Sequence, residues 1–163
     1  MIDSMTEQQH LADTLRRSCD GDAWHGPALK EILANVDART AQARKDGAHS
    51  IWELTLHVIA WFDIVRRRMA GEVLGDHNLT ATDDWPPLPA DLSDGKWQAT
   101  RDALYQSAHR LAKAIEDFPS SKLDETVAAK DYSYSVMLHG IAQHGLYHAG
   151  QMALLKKQLA NGQ

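Results

Sequence analysis

With a single cysteine, Cys19, among 163 residues, the chain cannot close an internal disulfide, and a lone thiol suits a reducing compartment. Cys19 is therefore expected to be structural. No apolar run approaches the roughly 18 residues that a membrane span needs. The first ten residues, MIDSMTEQQH, carry acidic side chains where a signal peptide carries basic and apolar ones. Both features predict a cytoplasmic protein with no membrane partner. Basic charge is also scarce, since 17 Lys and Arg against 22 Asp and Glu leave a formal charge of -5. The densest basic run is Arg66, Arg67, Arg68, expected as a solvated helix end, so no surface for neutralising nucleic-acid phosphates is predicted. Missing too are a phosphate-cradling glycine loop, a G-x-S-x-G elbow and a C-x-x-C pair. There is no internal repeat, no low-complexity tract and no alternating strand pattern.

What is present is ordinary globular composition, 44% hydrophobic and 24% charged, in a length that fits one domain, residues 1–163, with a real core. Ser4 with Glu7 reads as a capping box opening a helix to about Arg17, interrupted by Gly21. A second piece resumes after Gly26, with Pro27 in its first turn and Leu29, Ile32, Leu33 and Val36 on its apolar stripe. Ser50 with Glu53 repeats the capping box before the clearest helix, in which Ile51, Leu54, Val58, Phe62, Val65 and Met69 form one line and which Gly71 ends. Residues 72–94 hold Pro86, Pro87 and Pro89 and lack periodicity, so they read as a long crossover that lets the next helix run parallel to this one. That helix spans about Gly95 to Asp117, closed by Pro119. The last runs from about Tyr134 to Leu159, capped by Ser133 or Ser135 and followed by Gly162. The expectation is all-α: a four-helix bundle with a long crossover between its second and third helices.

Nine histidines are present, and their placement matters more than their number. His144 and His148 stand one turn apart on the last helix, amid Met137, Ile141, Met152, Leu155 and Leu159, on the core-facing stripe. Two inward imidazoles need partners: a metal ion would supply them, and so would hydrogen bonds to core groups or water. From spacing alone the two readings stand level. His57, on the inward flank of its helix between Leu54 and Trp61, adds a third ring and favours the ion, because three imidazoles leave coordination positions open for chemistry. His139 points elsewhere round the wheel and is expected on the surface or at an interface. His10, His77 and His109 have no sequence partners, while His25 and His49 stand at helix starts that could border a pocket mouth. Glu53 could support a ligand from one turn away, although its place in a capping box explains it better. The zincin motif is excluded, since the position of its glutamate base is Gly145. A second apolar strip on the last helix, Leu138, Ala142, Leu146, Ala149 and Ala153, predicts a homodimer packed through small residues.

Three blocks, AWHGPALKEIL, HSIWELTLHVIAW and QHGLYHAGQMALLKK, resemble the signature segments of the DinB-like superfamily, which includes the YfiT-like metal-dependent hydrolases. The resemblance spans roughly residues 20 to 160. It implies an up-down-down-up bundle, a three-histidine site carried onto His57, His144 and His148, a divalent ion that is commonly zinc or nickel, and often a homodimer. It implies no single reaction: some relatives are thiol transferases or isomerases that use a low-molecular-weight thiol, while many have no known substrate. The extra C-terminal domain of the mycothiol-dependent members is not seen in this sequence. The expectation is thus a small metal-dependent enzyme, an ion on three histidines activating a thiol or water against a small-molecule substrate, with Trp61 and the proline-rich loop as pocket wall. A non-catalytic, stress-related metal-binding or scaffold protein is the alternative. No catalytic residue beyond the ligands can be assigned from sequence.

Overall fold

The structure, a computed structural model, describes residues 5–160. It is all-helical, with no strand among the described residues beyond one isolated bridge between Thr126 and Ser133. Four long helices carry most of the packing: α1 (Glu7–Asp20), α4 (Ile51–Met69), α6 (Asp94–Glu116) and α7 (Tyr134–Ala160). Short helices α2 (Leu29–Leu33), α3 (Ala38–Gln42) and α5 (Ala81–Asp84) lie in the connections.

Local chemistry sets the helix starts. Ser50 accepts from the Glu53 amide and Glu53 accepts in return from the Ser50 amide, so the box predicted for α4 is present. At α1 the box is Thr6 with Gln9. Ser4, the predicted cap, lies outside the described residues, as does Gly162. Glu7 is instead spent at long range, accepting from Ser135 and His139 on α7. In α2, Pro27 precedes the first turn and Glu31 reaches back to the Ala28 amide. The Ser133 hydroxyl accepts from the Val136 amide at the start of α7.

α1 packs on α6 and α7, and α4 packs on the same two helices, with Leu15, Trp52, Phe62, Trp97, Leu104, Leu111 and Met152 sealed between them. Trp52 in the first turn of α4 meets Trp97 in the first turn of α6 and donates to the Thr100 hydroxyl. The hydroxyl of Tyr134, at the start of α7, donates to the Arg68 carbonyl at the end of α4. Gly145 is where α4 and α7 come closest to touching through a missing side chain: a Cβ there would sit 3.3 Å from the Phe62 ring.

One sequence expectation needs correction and two gain detail. The segment 72–94 is not featureless, since Thr80 caps α5 and α5 packs on α4. The small-residue strip of α7 is partly covered within the chain: α1 and α2 pack on α7, and Leu138, Ala142 and Ala149 are buried, while Leu146 and Ala153 are half-buried. The arginine run is not uniformly solvated either. Arg66 and Arg67 pair with Asp63 and Glu72 at the surface, but Arg68 is only 1% exposed. A run of like charges looks solvated when read locally, yet position 68 falls on the inward face with His57, Trp61 and Val65.

Candidate metal centre

α4 and α7 bring His57, His144 and His148 to one point. His57 and His148 are buried and His144 is half-buried. The Nε2 atoms of His57 and His148 each lie 3.1 Å from Nε2 of His144. Their rings are steeply inclined to one another, at 53° to 79°.

The outer nitrogens decide the protonation. Nδ1 of His57 is 2.6 Å from the Asp84 carbonyl oxygen, and a carbonyl only accepts, so Nδ1 carries the proton and Nε2 keeps its lone pair. His148 is set the same way, its Nδ1 donating to Oε1 of Gln151 at 2.7 Å. Two lone pairs therefore point at His144 Nε2, which can offer a proton to one of them at most. Nδ1 of His144 is itself buried without a partner. As a purely protein network the cluster is short of hydrogens; as a donor set it is complete. Two imidazoles at bond lengths of 2.0–2.1 Å on a tetrahedral ion would stand about 3.3 Å apart, close to the separations found. The residues fit a divalent metal.

Burial reinforces the neutral forms. It pushes the His144 imidazole down to about 4, helped by the neighbouring His148 and His57 rings. His57 and His148 are lowered for the same reason, against the partial opposition of Asp84 and Gln151 respectively. Neutral imidazole is the ligand form.

The walls come from the crossover. Trp85 stacks on His57 at 4.0 Å and on His49 at 3.7 Å, so His49 does border the site. The Trp61 indole donates to Asp84 Oδ1 at 2.7 Å, tying α5 to α4. On one side of the imidazoles opens a cavity of about 360 Å³, lined by Trp61, Val65, Arg68, Tyr132, Val136 and Ile141 among others.

Other histidines stand apart. His25 is exposed, His139 pairs with Glu7, His109 pairs with Asp20, and His10 and His77 are exposed. Glu53 serves its cap and a pair with Arg44 rather than a ligand, which settles its two sequence readings. Cys19, Asp20 and His109 also approach one another, but Lys30 and His109 occupy Asp20 and burial pushes the Cys19 thiol up to about 12. That thiol stays protonated and sealed. The sequence reading missed Asp84, Trp85, Gln151 and Arg68. Gln151 was within reach of it, three residues beyond His148 on the same helical face; Asp84 and Trp85 lie in a stretch with no period to read.

A family model described as the DinB superfamily matches residues 22–152. The chain belongs to the DinB superfamily. No curated protein and no solved structure matches it. The matched span of this DinB-superfamily chain holds every residue of the site, from His49 to Gln151. None of its described helices is long and apolar enough to cross a membrane.

Proposed function

We propose that the chain is a metal-dependent enzyme of thiol S-transferase or hydrolase type, with zinc or nickel held by His57, His144 and His148. The observation that carries this reading is the convergence of three imidazole nitrogens, two with lone pairs turned inward by Nδ1 donors, beside an apolar cavity. Three protein ligands leave coordination positions for exogenous molecules, and a bound divalent ion supplies acidification of a water or thiol, or polarisation of a carbonyl. The chain's own residues do the rest. Asp84 and Gln151 fix the ring tautomers. Trp61, Val65, Val136 and Ile141 make the cavity wall largely apolar. Because Cys19 is buried in α1, a reacting thiol would come from a low-molecular-weight cofactor.

The bundle is read as up-down-down-up. Support comes from the ends that meet: the starts of α4 and α6 through Trp52 and Trp97, the start of α7 against the end of α4, and the starts of α1 and α7 through Glu7 and Ser135.

Purified protein is expected to contain about one divalent ion per chain by elemental analysis, and His148→Ala to lose it while circular dichroism stays helical. Unchanged metal content in His148→Ala would overturn the site. A screen of thiols against small electrophiles, compared with free metal, separates an enzyme from a non-catalytic metal binder.

A further inference from the structure

Arg68 is a buried cation with no ion pair among the described residues; Asp76, the acidic group whose carboxyl it helps to lower, is already paired with Lys130. Its Nε donates to the Leu74 carbonyl at 2.9 Å and its Nη1 to the Tyr132 hydroxyl at 3.2 Å, both neutral acceptors. Its Nη2 is buried and has no hydrogen-bond partner, and no ion pair among the described residues includes it. Enclosing a charge without a counter-charge is costly, and leaving a donor unmade adds to the cost. Simple anchoring of the 72–74 turn would need only the Nε bond.

The same side chain lines the cavity beside the imidazoles. His57, Trp61, Val65 and Arg68 succeed one another along one face of α4, and helical side chains lean toward the N-terminus, so Arg68 leans back toward the histidines. The Trp61 ring bridges the two: its centre is 5.8 Å from the Arg68 guanidinium carbon and 5.7 Å from the His144 ring. Asp84, a carboxylate on the cavity wall, already accepts from the Trp61 indole. The cavity is thus largely apolar, with Arg68, whose Nη2 has no partner, in its wall and His57 and His144 at its edge.

We propose that this cavity takes a small organic carboxylate, its carboxylate paired with the Arg68 guanidinium and its apolar body lying along Trp61, Val65 and Ile141 toward the three imidazoles. One guanidinium with an unpaired nitrogen matches the single charge and flat geometry of a carboxylate. A phosphate dianion would ask for more donors than the wall provides. The proposal names the substrate class for the metal-dependent reading above and rests on it only for which end of the ligand faces the ion.

The test is calorimetric binding of 4-phenylbutanoate and its neutral amide to the protein as purified, with metal content measured alongside. The carboxylate is expected to bind at least tenfold more tightly than the amide. Arg68→Gln should remove that preference with metal content unchanged. Gly140→Leu should block both ligands, since Gly140 lines the cavity and a Cβ there meets nothing within 4 Å, which lets the variant fold. His148→Ala should lose the metal and keep the carboxylate preference, so the two readings fail separately. Equal binding of carboxylate and amide overturns the proposal. So does a preference that survives Arg68→Gln, or one that disappears with the metal in His148→Ala, because the carboxylate would then be a metal ligand. Should Arg68→Gln not fold, the carboxylate–amide comparison together with Gly140→Leu decides the matter.

Discussion

At the scale of the residue, two titrating groups carry opposite pH signatures. Without metal, His144 takes up a proton at about 4 in the fold but near 6.5 when unfolded, so between those values the unfolded chain binds more protons. The metal-free protein should therefore lose stability as pH falls from 6.5 toward 4, by up to about 1.4 kcal/mol per pH unit for this group, with His57 and His148 adding in the same direction. Urea denaturation of chelated protein at pH 7 and pH 5 measures this; equal stabilities would contradict the burial of the three rings. Glu53 behaves as a carboxylate should. Burial alone would raise it, but hydrogen bonds from Arg44 and Ser50 overcome that and hold it at about 2. Its contribution is full above the unfolded value of about 4.5 and is lost as pH falls toward 2. Glu53→Gln keeps an acceptor for the Ser50 amide, as Gln9 does at α1, but loses the charge paired with Arg44, so it should cost about 1 kcal/mol at pH 7, a deficit that shrinks below pH 4.

At the scale of the element, the spacing of α4 and α7 is what makes three histidines into one donor set. Gly145 stands next to His144, and its absent side chain admits the Phe62 ring of α4. Gly145→Val would gain helix propensity relative to glycine yet drive its methyls into that ring. The expected result is a helical protein with a lower Tm and metal affinity down by tenfold or more, measured by competition with a chelating dye. Phe62→Leu in the same chain should recover part of both. Wild-type affinity in Gly145→Val would mean that the helix separation does not govern the site. α5 acts on the same site from outside. It presents the Asp84 carbonyl to His57 and seats Trp85 against the ring, so a four-residue helix inside a proline-rich crossover selects the His57 tautomer.

For the whole molecule, the site is carried by a core that does not depend on it. The apolar side chains sealed between α1, α4, α6 and α7 lie mostly away from the imidazoles, with Leu15, Trp97, Leu111 and Ile115 as examples. Chelation should leave the helical spectrum intact and lower Tm only by the linkage contribution. For metal at a thousandfold excess over its Kd that is about 4 kcal/mol, or about 10 °C in a chain of this size. Collapse of the helical spectrum on chelation would show that the ion is structural instead.

Composition and periodicity alone determined the all-α class, the long helices, the cap at Ser50 and the three inward histidines. Each of these is a local property, set by spacing within one helix or by two side chains a turn apart. The capping box at Thr6, the burial of Arg68 and the parts played by Asp84, Trp85 and Gln151 were decided only by tertiary structure. Glu7 had a partner 128 residues away, Arg68 lay on the inner face of a helix whose neighbouring arginines face water, and the crossover had no period of its own. Periodicity tells which way a side chain turns; what it meets there depends on the other helices.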